Sequence, residues 1–366
     1  MQIAFAVFVL VHGLIHFIGV AKAFGFAAKL PMSLPISAGW GTVWLLAALL
    51  WITTSVMLFQ SSARWWIPAS VALLASQVVI IMSFADAKWG TLANLVVLVP
   101  LAVSLLDQRH ASLQSIYKRE CEARRTRALV SFVGESEIAH LPPQVQRYLR
   151  VTKSVGNARV RSFHARLRGT LRNSPDAPWM NVDVVQENFF DTPARIFFVR
   201  GARFGVPFDA LHTYIGEAAT MRVMVASVFE AFRASGHEMN QSETVTMFND
   251  MCLFAPATLI DPNIRWEEID AHSVRAWFRH GPVTISAVLT FNERGELVGF
   301  VSHDRYQSVD GKTFTLYPWS TPVERYGEFN GRHLVASATV SWNMHGTEFP
   351  YARLELVDLE YNAARP

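Results

Sequence analysis

Apolar residues run almost unbroken through the first hundred positions, and after residue 150 they give way to alternation. Four stretches approach bilayer length: Ile3–Val20, Trp40–Leu58, Trp66–Phe84 and Leu92–Leu106. A spanning helix needs roughly 20 mainly apolar residues, and the fourth stretch reaches that only with its flanking turn. Trp40, Trp65, Trp66 and Trp89 mark several ends, where indole rings favour the headgroup level. The connections are Pro/Gly-rich ("KLPMSLPISAGWG") or very short ("SSAR", "DAKWG"). The pattern predicts a four-helix antiparallel transmembrane bundle over residues 1–106.

From residue 157 the period is two. "ARVRSFHARLRGTLR", "WMNVDVVQENFF", "ARIFFVRG", "MRVMVASVF", "HSVRAWFRHG", "ASATVSWNM" and "YARLELVDLEY" read as strands, with "NERGEL" and "NMHGTEFP" as hairpin turns. Long strands in sequence order predict one large curved antiparallel sheet, half-barrel-like, over residues 141–366. One helix interrupts it. In "NQSETVTMFNDMCLFAP", Asn240 and Glu243 have capping-box spacing, and Pro256 is the stop. Val245, Phe248, Cys252 and Ala255 form an apolar stripe expected to cover one face of the sheet. The fold class is thus membrane α plus α+β. Between the two parts, 107–140 reads as a charged juxtamembrane connector: a helix in "DQRHASLQSIYKRECEARRTR", then a short helix started by the prolines of "HLPPQVQRYLRV".

Composition sharpens the division. The chain is 51% hydrophobic and 17% charged, against about a quarter charged in a typical soluble domain. Residues 1–106 hold only Lys22, Lys29, Arg64, Asp86 and Lys88 as charges, and the remainder balances. A neutral second part gives no electrostatic basis for nucleic-acid binding. Arg64, Arg109, Lys118, Arg119, Arg124, Arg125 and Arg127 flank one side of the expected spans, against Lys22, Lys29 and Lys88 on the other. The positive-inside rule then favours both termini, and with them the C-terminal domain, in the cytoplasm. A cleaved signal ending at "AKA" is disfavoured, because no Lys or Arg precedes the apolar run and two histidines interrupt it.

Those histidines are the first candidate chemistry. His12 and His16 lie four apart, on one helical face. At about 1.5 Å per residue, His12 and Gln77 fall at similar depths, so His12, Ser76 and Gln77 are expected together. His16 is expected nearer Asp86, Lys88 and Asn94. Interhelical hydrogen bonding is the plain reading of such a set; a quinone-type, haem or metal site in the bundle is the sharper one. Two histidines with no nearby carboxylate make a poor zinc site, and no metal ligand set or cofactor is assigned. Cys121 and Cys252 offer neither a disulfide framework nor metal-ligand spacing.

Nucleotide, nucleophile-elbow and zincin motifs are missing, so no catalytic residue is assigned. Glu267, Glu268 and Asp270 bring carboxylates together, as solvated strand edges commonly do. The better cluster is Asp304, Arg305, Tyr306, Trp319, Tyr326, Trp342, Tyr351 and Arg353 on the C-terminal strands. Aromatic and Arg side chains on a concave face would bind a lipid or other apolar small molecule; cross-strand pairing is the competing explanation. "LPPQVQRYLR", "MNQSETVTMFNDMCLFAPATLIDPNIRWEEID", "LTFNERGELVGF", "ERYGEFNGRHL" and "SWNMHGTEFPYARLELVDLEY" resemble an uncharacterised bacterial membrane-protein family with a C-terminal domain of unknown function, over about residues 138–362. The layout also resembles, in architecture alone, lipoprotein carriers of the LolA kind, which hold acyl chains in an incomplete barrel. The family resemblance implies domain boundaries and a multi-pass place in a bacterial inner (plasma) membrane rather than a reaction.

Overall fold

The computed structural model describes residues 2–26, 33, 35–126 and 130–363. The chain divides into two compact units, Met1–Arg109 and His110–Pro366. Lys29 and Arg127, counted above for orientation, lie outside the described residues.

The first unit is helical: α1 (Gln2–Ile15), α2 (Phe17–Ala23), α3 (Ala38–Phe59), α4 (Trp66–Met82), the single turn α5 (Phe84–Ala87) and α6 (Trp89–Asp107). Gln2–Ala23, Ala38–Phe59 and Trp89–Asp107 are long and apolar enough to cross a membrane, whereas apolar α4 is shorter at 17 residues. The first expected span is interrupted at His16, between α1 and α2. Small residues set the packing of this unit. A Cβ on Gly13 would sit 2.8 Å from the Trp51 Cβ, and one on Gly19 would enter the Trp44 ring at 2.2 Å. Helix α3 can press against α1 and α2 only because those positions carry no side chain. Ala6, Val9, Trp51, Ala69, Ala72 and Val97 fill the interior.

The second unit opens with α7 (Leu113–Arg124), a turn α8 (Glu135–Ile138) and α9 (Pro143–Val151). Strands β1 (Ser162–Leu171), β2 (Met180–Phe189), β3 (Ala194–Arg203), β4 (Val206–Ile215), β5 (Ala218–Val225) and β6 (Phe229–Ser235) follow as successive hairpins. After α10 (His237–Phe254) and a 3-10 turn come β7 (Ile264–Glu268), β8 (Ser273–His280), β9 (Val283–Phe291) and β10 (Leu297–Ser302). Three two-residue strands, β11 (Tyr306–Gln307), β12 (Thr315–Leu316) and β13 (Trp319–Ser320), precede β14 (Val323–Phe329), β15 (Arg332–Met344) and β16 (Thr347–Tyr361). Among the described residues, fourteen strands form one antiparallel sheet in the order β6-β5-β4-β3-β2-β1-β16-β15-β13-β10-β9-β8-β7, with β14 on β15. The sheet is the large curved half-barrel that the alternation predicts, and the last strand joins its two halves by pairing with the first.

Two expectations change. Helix α7 is not a free charged helix: Leu113, Tyr117 and Cys121, at i, i+4 and i+8, bury against Ile196, Phe198 and Leu211 of β3 and β4. Nor does Asn240 cap α10. The helix starts at His237 after Gly236, whose φ of +105° suits glycine. Asn240 instead accepts the Ala219 N–H at 2.8 Å. The interrupting helix is more than a cover, because Ser242 to Phe254 are buried without a gap. A helix buried on every face must satisfy its polar side chains internally. That requirement builds the site.

Candidate functional site

Helix α10 lies along the sheet's inner face, and its polar residues meet polar residues at one level of the strands. Arg195 on β3 is the hub. Its Nε donates to Asp250 Oδ2 at 2.6 Å, one terminal nitrogen donates to Glu243 Oε2 at 3.0 Å, and the guanidinium lies 4.6 Å from the Phe197 ring centre. Gln186 and Asn188 of β2 also donate to Asp250 Oδ2, at 2.6 and 3.1 Å. His212 of β4 pairs with Glu243 at 3.5 Å, and Arg305 approaches the same carboxylate at 3.9 Å. Glu243 and Asp250 are seven residues apart, two turns along one helical face.

The two carboxyls are driven in opposite directions. Burial opposes ionisation of Glu243, but Arg195, His212 and Arg305 outweigh it and hold this carboxyl at about 2. At Asp250 burial wins over Arg195, and the carboxyl rises above its ordinary range. Buried charges of this kind persist only when paired and hydrogen-bonded.

Beyond this charged floor lies a cavity of about 940 Å³. Alternation explains its lining. On β2 the inward residues run Gln186, Val184, Val182, Met180; on β3 they run Arg195, Phe197, Val199; on β4 they run His212, Ala210, Phe208. Each strand contributes one polar side chain at the helix and apolar ones away from it. The cavity opens where its lining is itself exposed, at Phe204 (87%), Val206 (47%) and Val309 (76%).

Of the C-terminal cluster expected from sequence, Arg305, Tyr306, Trp319, Trp342 and Tyr351 line this cavity. Trp319 and Trp342 are register partners on β13 and β15, and the Arg305 guanidinium lies 4.7 and 5.0 Å from their rings. Arg305 Nε donates to Thr246 Oγ1 of α10 at 3.2 Å, and Trp319 Nε1 donates to Tyr351 Oη at 3.0 Å. Tyr326 is not in the lining: its hydroxyl donates to the Leu297 carbonyl at 2.9 Å and its ring stacks on His333. Arg353 is also outside, 4.7 Å from the Trp179 ring centre. Asp304 accepts from Ser286 N–H and Oγ. Glu267, Glu268 and Asp270 belong to β7 and the turn after it, outside the lining.

Sequence reasoning missed Arg195, Glu243, Asp250 and His212. The available signal was Glu243 and Asp250 at i and i+7 within an apolar helical run.

In the helical unit the polar set does converge, with exchanged partners. His12 Nε2 meets Asn94 Oδ1 at 2.9 Å, and His16 Nε2 meets Ser76 Oγ at 2.9 Å. Ser76 donates to Asn94 Oδ1 at 3.0 Å, Asn94 donates to Gln77 at 3.0 Å and Gln77 donates to Thr91 at 3.2 Å. Asn94 therefore belongs with His12, not at the His16 end, and His16 takes the Ser76 contact expected for His12. The break between α1 and α2 falls at His16, whose Nδ1 lies 2.8 Å from the His12 carbonyl, so the first helix does not continue the uniform rise on which the expected depths rest. Asp86 and Lys88 stay apart from the network: Asp86 accepts from Ser33 and Lys88 lies near the Trp89 ring. Among the described residues no group of three or more His, Cys, Asp or Glu is placed to hold a metal ion.

A family of unknown function, DUF6544, matches residues 131–354, close to the span of the resemblance noted in the sequence. No curated protein matches the chain. Solved structures similar to it include a DUF1329 family protein from Desulfovibrio piger, 10% identical, covering 60% of this chain and 91% of its own, with a TM-score of 0.33. Another is a domain from Vibrio parahaemolyticus described as an outer membrane lipoprotein-sorting protein, 8% identical, covering 55% and 85%, with a TM-score of 0.30.

Proposed function

We propose, for a chain that belongs to the DUF6544 family of unknown function, a membrane-tethered module that holds an amphipathic apolar ligand inside its curved sheet. The observation that carries this reading is the cavity of about 940 Å³, apolar along its strands and closed at the helix by buried Arg195, Glu243 and Asp250 and partly buried Arg305. Ligand sites are typically about 300–1,000 Å³, mainly apolar, with a few placed polar groups. The apolar walls suit an acyl or comparable chain, and the helix end suits its polar head. Arg305 offers donors beyond those Thr246 and Glu243 use, and a protonated Asp250 would add another.

In this proposal the helical unit anchors the protein in a bacterial inner membrane with both termini cytoplasmic. Arg64, Arg109, Lys118, Arg119, Arg124 and Arg125 flanking one side, against Lys22 and Lys88, support that orientation. The His12–Asn94–Ser76–His16 network then serves as interhelical hydrogen bonding inside the bundle.

Native mass spectrometry of the detergent-purified full chain tests the binding reading. The wild type is expected to retain an acyl-bearing adduct, and Ala210→Trp, which fills the cavity from β4, is expected to lose it with its melting midpoint kept. Equal adducts in both proteins, or none in the wild type after mild solubilisation, would sink the reading.

A further inference from the structure

The cavity mouth carries a second feature that ligand binding does not require. Strands β3 and β4 are joined through Phe204 and Gly205, at φ of +50° and +82°, and β5 and β6 through Ala226 and Ser227, at +50° and +56°. Two residues at positive φ make the tight hairpin turn that favours Asn-Gly, and a bulky side chain is out of place there. Phe204 nevertheless occupies the first of them, 87% exposed. Val206, Val228 and Phe229 are exposed beside it, at 47%, 62% and 67%. The two turns are neighbours, because Ala226 N–H donates to the Pro207 carbonyl at 2.8 Å. Alternate hairpin turns lie roughly 10 Å apart, two strand spacings, so these residues form one projecting apolar edge. Isolated exposed apolar residues are ordinary, but a contiguous edge marks a contact.

The β1–β2 connection ends on the same side of the sheet, since Leu171 pairs with Met180 as Arg203 pairs with Val206. It brings Trp179, with the guanidinium groups of Arg172 and Arg353 4.6 and 4.7 Å from its ring centre. Arg203 adds a third cation at 5.4 Å from the Phe204 ring. None of these three arginines faces a carboxylate across a salt bridge among the described residues; Asp176, Asp310 and Glu348 are acidic side chains of the neighbouring turns, and Glu230 beside Phe229 is paired with Arg222 and Arg233. Apolar tips backed by Trp and Arg are what a bilayer surface with anionic headgroups accommodates: the tips enter the acyl boundary, the indole sits at headgroup level and the cations meet lipid phosphates. A folded protein partner would instead need a broad, flat complement to these narrow turns.

We infer that the mouth rim, Phe204, Val206, Val228 and Phe229 with Arg172, Arg203 and Arg353, docks on an anionic bilayer surface, so that the cavity exchanges its ligand directly with lipid. This deepens the ligand-holding reading and rests on it for its purpose, while the docking itself is separately measurable.

The test uses the full chain in nanodiscs of phosphatidylcholine mixed with phosphatidylglycerol. An environment-sensitive dye is attached through Phe204→Cys or, as control, through Glu217→Cys in the exposed β4–β5 turn at the opposite end of the same strands; Cys121 and Cys252 are buried. The dye at position 204 is expected to emit at shorter wavelength and to be quenched by nitroxide on the lipid acyl chains, and to lose much of both effects in phosphatidylcholine alone. The dye at 217 is expected to show neither. A dye at 204 that behaves like the one at 217 overturns the inference. So does a blue shift without nitroxide quenching, which means protein covers the rim. If the adduct of the mass-spectrometric test persists while the dye at 204 stays in water, the rim fails and the cavity reading stands; a lipid-buried rim without an adduct is the reverse.

Discussion

Replacing Arg195 by Met probes the charged floor most directly, because Met keeps most of the apolar stem and removes the guanidinium that neutralises two buried carboxyls and lies over the Phe197 ring. Arg195 is 4% exposed and donates to both Glu243 and Asp250. Two hydrogen bonds to charged groups are worth about 1.5–3 kcal/mol each, and stripping one partner from a buried ion pair costs about 3–5 kcal/mol. The titration of Glu243 gives a second route. Its carboxyl is held at about 2 against an ordinary 4.5, which at about 1.36 kcal/mol per unit corresponds to about 3 kcal/mol, shared among Arg195, His212 and Arg305. A loss of about 3–5 kcal/mol at neutral pH follows. In a unit of this size that is a fall of about 6–20 °C in melting midpoint, read by thermal unfolding of the detergent-solubilised full chain.

The sign with pH is fixed. In the wild type, the folded-state value of Glu243 lies below the unfolded one. Its stabilisation is complete above about pH 4.5 and is lost as pH falls towards about 2. Asp250 works the other way: its raised folded value makes it a cost that grows as pH rises through that value. In Arg195→Met both carboxyls are buried without that guanidinium, so protonation relieves the variant on acidification, while the wild-type Glu243 stabilisation stays complete down to about pH 4.5. The difference between the two proteins should therefore be widest near pH 7 and shrink towards pH 4. Adding Asp250→Asn to Arg195→Met should recover part of the loss at pH 7. A gap that stays constant with pH, or a neutral-pH loss below about 1 kcal/mol, would contradict a charge origin.

Arg305→Leu removes the guanidinium seated by the Trp319 and Trp342 rings; it should weaken retention of fatty acids while sparing neutral long-chain alcohols, compared by competition in native mass spectrometry. Asn94→Leu breaks the contacts of Asn94 with His12, Ser76 and Gln77; at about 0.6 kcal/mol per contact it should cost about 2 kcal/mol, seen as a lower midpoint for unfolding of the helical unit.

Periodicity made most of the architecture legible. The four apolar runs became α1–α2, α3, α4 and α6 with ends moved by a few residues. The turns in "NERGEL" and "NMHGTEFP" are hairpins, with Gly295 and Gly346 at φ of +82° and +80°. The charged floor was not legible, for a physical reason. Amphipathic patterning assumes one buried face, and α10 is enclosed on all of them, so Glu243 read as half of a capping box and Asp250 fell off the apolar stripe. Their partner Arg195 sits 48 and 55 residues earlier, on a strand whose alternation it does not disturb. The split of the C-terminal cluster was equally hidden. Tyr326 and Arg353 match the cavity residues in type, and only register and curvature turn them away from Trp342 and Tyr351.

The arrangement of charge and apolar surface also constrains how a ligand would enter. Replacing a buried ion cluster with apolar residues is often neutral or stabilising, so stability alone does not explain Arg195, Glu243 and Asp250 at the helix. A ligand head arriving there would. Arg195 and Phe204 are nine residues apart on β3 and its turn, roughly 30 Å at about 3.3 Å per residue. A single lipid leaflet contributes roughly 15 Å of hydrocarbon, so a lipid with its head at the floor has room for its tails along the apolar strands, short of the rim. Bilayer lipids present their heads outward. A mouth resting on the surface therefore meets the head first and draws the tails behind it, which matches a polar floor far from the membrane and an apolar rim against it. The mouth carries Phe204, Val206 and Val309 together with Arg172 and Arg203, cations that an anionic head would meet on its way to Arg195 and Arg305 at the floor.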